Sequence, residues 1–211
     1  MAGRNRRRST TADLPAGPAP ARARLLAAAA ECFYDHGVNG TGIDTITAAA
    51  GVAKMSLYNN FASKDDLVLA YLEARHEEWL ELYRLRLAGA ADARQRVGAV
   101  FDAYVDHAEK GYRHGFRGCG LLNAAAELPA GAPGRQLVRR HKEEVEALLA
   151  KHLAELDEMP AERVADLAEQ LSFLLEGAMA RAGLEGDSRR LRRVRDLALQ
   201  LVDAAAGGDA R

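Results

Sequence analysis

The 211-residue chain is short of several residue types at once, and each shortage excludes something. It has two cysteines, Cys32 and Cys119, too few for a disulfide framework. Aromatic residues make up only 6%, whereas 43 positions are alanine, which favours helices and is depleted in strands. A β sandwich or barrel is therefore a poor starting hypothesis, and no segment alternates apolar and polar residues as a half-buried strand would. Long apolar runs are missing too. In the N-terminal region the longest is LLAAAA at 25–30, far short of the ~20 residues a membrane span needs. The opening MAGRNRRRST has the arginines of an export signal without the apolar stretch that must follow them. The expectation is a cytoplasmic protein with reduced thiols and no membrane contact. No Gly-rich phosphate loop follows a strand, no nucleophile elbow occurs and no carboxylates cluster with histidine, so neither an enzyme nor a bound cofactor is expected.

What remains is a globular composition, 48% hydrophobic and 28% charged, long enough to bury a core without staples. The net charge of −1 conceals an asymmetry. Residues 1–64 carry eight basic and four acidic side chains, a net +4, while the remainder carries 21 basic and 26 acidic ones, a net −5. A basic end points to an anionic partner, or to a basic tail with no partner at all. Residues 1–20 hold Arg4, Arg6, Arg7 and Arg8 and then three prolines, with no periodicity, and read as a flexible basic arm.

Helical signals start after the arm. Leu25, Leu26, Ala29, Cys32 and Phe33 form one apolar stripe at helical spacing, stopped by Gly37. The segment GVNGTGIDTITAAAGVAKMSLYNNFASKDDL is heavily punctuated. Thr41 with Asp44 reads as a capping box opening a helix of about eight residues, Gly51 begins a three-residue turn, and a second short helix covers Lys54 to Asn60. Ser63 with Asp66 then opens a long helix. Two helices joined by a short glycine-containing turn have the spacing of a helix-turn-helix. The second helix turns Lys54, Met55, Ser56, Tyr58, Asn59 and Asn60 outward, a compact hydrogen-bonding surface without acid. Amides of this kind pair with adenine edges in a major groove, and Lys and Tyr reach phosphates; a merely solvated polar face is the alternative.

The rest also reads as helix, at 64–88, 93–110, 121–128, 135–157, 161–182 and, capped by Ser188, 188–205. The fold class expected is all-α: an N-terminal three-helix helix-turn-helix unit at 21–66 and a C-terminal helical bundle at 67–211.

From Leu25 over about 50 residues the sequence resembles the DNA-binding domain of the TetR family of bacterial transcriptional regulators. The matching positions include Gly37, Thr41, Ile43, Ile46, Ala50, Gly51, Val52, Leu57, Tyr58, Phe61, Lys64 and Leu67. FRGCGLLNAAAE at 116–127 is similar to a stretch in some members. The resemblance implies a homodimer that binds a palindromic double-stranded operator and releases it on binding a small effector; activation, or constitutive binding without an effector, are the alternatives. It places Lys54 to Asn60 on the recognition helix, with Met55, Ser56 and Asn59 on base edges, and Thr41, Thr45, Tyr58 and Lys64 on the DNA backbone. Ala53 departs from the family's usual serine cap, and Asn60 from a common histidine.

The resemblance also implies an effector cavity after residue 90, for which Phe101, Tyr104, His107, Phe116, Cys119, Leu122, Asn123, His141 and Phe173 are the candidates. With few aromatics and much Leu and Ala, the expected effector is hydrophobic. Cys119 beside Arg117 is also readable as a redox thiol, though no resolving partner stands out. No metal is expected: His141 and His152 lie roughly 16 Å apart along one helix, and His107 and His114 straddle Gly111. The helices at 161–182 and 188–205, with Gly177 and Ala178 allowing close approach, are the implied dimer interface.

Overall fold

A computed structural model describes residues 19–156 and 159–206; the arginine arm lies outside the described residues. Every regular element among them is an α-helix. In chain order these are α1 (Ala21–His36), α2 (Ile43–Ala50), α3 (Lys54–Asn60), α4 (Lys64–Leu87), α5 (Ala93–Glu109), α6 (Gly120–Ala126), α7 (Pro133–Leu153), α8 (Ala161–Glu185) and α9 (Arg189–Ala206). None is long and apolar enough to cross a membrane.

Helices α1 to α3 form a small cluster around Leu25, Ala29, Phe33, Ile46, Leu57 and Phe61, which pack with nearly no exposed surface. Two arginines of α1 brace it from outside. Arg22 lies over the Phe61 ring at 5.0 Å, and Arg24 Nη2 donates to the carbonyl of Gly51 at 3.1 Å, the left-handed residue that ends α2. Helix α4 packs on α1 at one end and on α5 and α7 at the other, and so buries residues around much of its circumference, from Leu67 and Tyr71 to Trp79 and Tyr83. Helices α5, α7, α8 and α9 complete a bundle whose apolar core is continuous with that of α1 to α3.

The helix ends show where local signals succeed and fail. Ser63 caps α4 as expected: its Oγ accepts from Asp66 N, while the Asp66 carboxylate reaches one residue past the cap and accepts from Ala62 N instead of closing a full capping box on Ser63 N. Thr41 does not cap α2. Gly42 is the N-cap residue, without a side-chain bond, and the Thr41 hydroxyl turns inward to the carbonyls of Cys32 (3.1 Å) and Gly37 (2.7 Å). Ser188 likewise reaches away from its own helix, donating from Oγ to Glu109 Oε1 at the end of α5.

One contact locks α8 against the loop before α6. Gly183 and Gly118 meet backbone to backbone, so a Cβ at Gly183 would stand 2.6 Å from Gly118 Cα and 2.7 Å from its nitrogen. Backbone cannot rotate away as a side-chain tip can. Gly183→Ala is therefore expected to destabilise the fold by about 1–3 kcal/mol, read as a fall in thermal midpoint.

Candidate DNA-binding surface and ligand cavity

On α3 the inward residue is Leu57, fully buried, while Met55 (68% exposed), Tyr58 (49%) and Asn59 project outward. Ser56 and Asn60 are half-buried, and Asn60 Nδ2 donates to the carbonyl of Ser56 at 2.7 Å, so its amide closes the last turn of the helix. Lys54 Nζ is 2.9 Å from Asp44 Oδ1 on α2, an exposed pair whose hydrogen bond and charge raise the lysine pKa. Ala53 leaves α3 without a side-chain cap, as its sequence indicates. Thr45 is exposed and Lys64 half-exposed at the start of α4. Thr41 is the correction: it is 1% exposed, and its hydroxyl is committed to two carbonyls, which leaves that side chain nothing to offer a phosphate.

The second feature is a cavity of about 250 Å³ between α1 and the bundle. Its floor is a face of α1 that includes Tyr34 and Asp35. Tyr71, Arg75, Glu78 and Trp79 line it from α4, at spacings of four, seven and eight residues that share one helical face. Tyr104 and His107 of α5, His141 of α7, Cys119 and Leu121 around the start of α6, and Tyr112 of the intervening loop close it.

Of the nine candidates, the structure brings Tyr104, His107, Cys119 and His141 onto this wall. The other five are corrected. Phe101 is wholly buried in the core, and Phe116 packs behind the wall against Tyr112 at 5.8 Å. Leu122 and Asn123 come after the wall residue Leu121, and a helix turns about 100° per residue, which carries both to the surface. Phe173 is 64% exposed on the outer side of α8, opposite the buried Leu171 and Leu175. Sequence reasoning missed Tyr34, Tyr71, Arg75, Glu78, Trp79 and Tyr112. A usable signal was present on α4, where two charged residues interrupt an aromatic stripe.

The wall is mainly apolar, but aromatic more than aliphatic. Four of the six tyrosines and the single tryptophan collect here, although aromatics are rare in the chain as a whole. A hydrogen-bond chain runs through it. Lys142 Nζ lies 3.5 Å from Tyr104 Oη, which is 3.4 Å from His141 Nε2, and His141 Nδ1 is 2.9 Å from His76 Nδ1. With His141 protonated on Nδ1, Tyr104 donates to it and it donates to His76. Burial pushes the His107 pKa down to about 4 and that of His141 to about 3, so both rings are neutral near pH 7. Burial also pushes the Tyr34 phenol up to about 12. Lys142 keeps its charge against desolvation because Cys119, Tyr104 and the Glu176 carboxylate at 2.7 Å raise its pKa. Cys119 is buried, with Sγ 3.7 Å from the same ammonium.

The floor of the cavity is also the C-terminal half of α1, and the bundle holds it tightly. Tyr34 Oη accepts from Arg117 N at 2.6 Å and donates to Gly118 O at 3.2 Å. Arg117 Nη1 donates to the carbonyls of Tyr34 and Asp35, and His114 pairs with the Asp35 carboxylate. Glu127, just past α6, accepts from the backbone amides of Val38 (3.1 Å) and Asn39 (2.7 Å). Gly37, at φ +80°, leaves room for that carboxylate; a Cβ there would lie 2.4 Å from Glu127 Oε1.

Comparison with known proteins places both regions of the chain in one family. Residues 25–71 match the family model "Bacterial regulatory proteins, tetR family", and residues 93–198 match "Tetracyclin repressor-like, C-terminal domain". The chain is 40% identical over 95 residues to the HTH-type transcriptional activator FasR of Mycolicibacterium smegmatis, covering 44% of this chain and 43% of that protein. It is 33% identical over 89 residues to the HTH-type transcriptional repressor KstR2 of Rhodococcus jostii, covering 42% and 44%. The matches thus span less than half the length of these two relatives. Over the whole fold it resembles the crystal structure of a TetR-family transcriptional regulator from Streptomyces coelicolor, with a TM-score of 0.74 and 33% identity over 90% of this chain and 96% of that one.

The neutral buried histidines make stability depend on pH. Their folded pKa values lie below the unfolded value near 6.5, so as pH falls below about 6.5 the unfolded chain takes up protons that the folded one refuses. Stability is then expected to fall by up to about 1.4 kcal/mol per pH unit per histidine down toward pH 4. Thermal melts between pH 7.5 and 4.5 measure this, and His141→Gln should flatten the slope.

Proposed function

Because the chain belongs to the tetR family of bacterial regulatory proteins, which are DNA-binding transcriptional regulators and not enzymes, we propose that it is a ligand-responsive repressor. It acts as a homodimer on a palindromic operator and leaves it when a small molecule enters the cavity. One observation supports this above the others: the helix that carries Tyr34 and Asp35 on the cavity floor is also the first helix of the helix-turn-helix cluster. Residues 21–66 form the DNA-binding unit and 67–211 the effector and dimer unit, sharing the boundary at α4.

In this reading α3 enters the major groove. Met55, Ser56 and Asn59 face base edges, and Thr45, Lys54, Tyr58 and Lys64 hold phosphates. Asn60 positions the end of α3 through its bond to Ser56. The two α3 helices of the dimer sit about 34–36 Å apart, one DNA turn. Filling the cavity shifts α1 against α4 and changes that spacing. The aromatic, partly polar wall replaces the hydrophobic effector expected from composition with one that can also hydrogen-bond. α8 offers the dimer face: Phe173 and Leu184 (85% exposed) stand outward on it, and Gly177 between them has open space where a Cβ would be.

Two measurements test this reading. Tyr58→Ala and Asn59→Ala should each weaken binding to DNA selected from a random pool by roughly tenfold, about 1–3 kcal/mol, with the dimer intact. Wild-type affinity in both removes α3 as the recognition helix. Phe173→Glu should give a folded monomer by light scattering; a dimer of unchanged stability moves the interface off this face. The sign of regulation is read in a reporter strain, where deleting the chain raises expression if it represses and lowers it if it activates.

A further inference from the structure

Three buried polar atoms on the cavity wall have no hydrogen-bond partner: the donors Arg75 Nε and Trp79 Nε1, and the acceptor Glu78 Oε2, which faces Arg75 Nη1 only as an ion pair at 2.6 Å. Buried N–H groups are nearly always paired, so two orphans at one site call for an explanation. They are four residues apart on α4, one above the other on the face that lines the cavity. Trp79 is 3% exposed, held between the stacked Tyr83 ring at 5.7 Å and the Tyr104 ring at 5.2 Å, which leaves it no freedom to seek solvent.

The ion pairs beside them are shared unevenly. Glu78 is the carboxylate partner of both Arg75 (2.6 Å) and Lys110, so two cations share one anion. Asp35, also on the wall, is taken up by His114. His107 and His141 are neutral near pH 7 and add no charge. Counting Glu31 and Arg113, the wall as a whole holds as many carboxylates as cations, but at its Arg75 end two cations share one carboxylate and two N–H donors stand without acceptors. The remaining wall is aromatic, with Tyr34 and Tyr112 stacked at 4.5 Å and Tyr71 and Tyr104 opposite. Such rings favour a flat partner over a bulky saturated one. A volume of about 250 Å³ limits that partner to roughly a single substituted ring.

We propose that the cavity binds a small aromatic carboxylate, whose oxygens accept from Arg75 Nε and Trp79 Nε1 and whose ring packs among the tyrosines. This rests on the effector reading above for its regulatory meaning, but not for its chemistry. The acceptor is charged because a charge-assisted bond to Arg75 offsets the removal of the carboxylate from water better than a neutral carbonyl could.

Trp79 is the only tryptophan in the chain, so its fluorescence reports directly on the wall. The full-length protein is titrated at pH 7.5 with benzoate, methyl benzoate and cyclohexanecarboxylate, with calorimetry in parallel. Benzoate should give a saturable change, and the neutral ester and the saturated acid should each bind at least tenfold more weakly. By calorimetry, Trp79→Phe, which keeps a ring but loses the N–H, and Arg75→Lys, which keeps the charge but loses Nε, should each weaken benzoate at least fivefold while the melts stay cooperative. Equal or tighter binding of the ester, or benzoate affinity untouched in both variants, overturns the carboxylate. Absence of saturable binding by all three probes overturns it as well. Release of DNA is scored separately: benzoate binding without DNA release leaves the ligand class standing and removes the effector reading, whereas DNA release by the ester alone does the reverse.

Discussion

The C-terminal end of α1 is the constraint on which the rest of this structure depends. A helix end leaves its last carbonyls without partners, and here they are satisfied by groups from elsewhere in the fold. Thr41, at the entrance to α2, takes the carbonyls of Cys32 and Gly37; Arg117, from the loop before α6, takes those of Tyr34 and Asp35. Glu127 then fixes the two amides that follow. The helix-turn-helix and the C-terminal bundle are thus joined by a hydrogen-bonded seam as well as by packing, and the seam forms one side of the cavity. An occupant that displaces Tyr34 strains those bonds directly. In the proposed reading this is a short route from ligand to DNA, running through α1 alongside α4.

The seam also accounts for the cost of the special residues around it. Gly37 and Gly183 each stand where a side chain would strike the opposing segment, and Gly118, opposite Gly183, has φ +86°, a conformation that favours glycine. A loop built on such close approaches has few alternative packings, so a shift at one point is passed on and not absorbed.

Much of this was legible in the sequence. Helix periodicity, the Ser63–Asp66 box and the turn at Gly51 located the helices and the outward face of α3, because those signals are local. Thr41 was misread because its spacing to Asp44 matches a capping box, whereas its actual partners sit nine and four residues earlier, across a turn that local patterning does not describe. The cavity was the harder part. Average composition suggested an oily site, yet the scarce aromatic residues from α1, α4, α5 and the 110–116 loop converge on one place. Convergence of distant segments is a tertiary property, and only the face of α4 bearing Tyr71, Arg75, Glu78 and Trp79 showed it in one dimension.

The central claim is that DNA and cavity communicate through the α1 seam. Hydrogen exchange on the full-length protein, with and without bound operator DNA, tests it most directly. The account predicts slower amide exchange at 116–127 as well as in α1 to α3 when DNA is bound, although 116–127 lies on the cavity side of the seam. Slowing confined to α1–α3, with 116–127 unchanged, would contradict it.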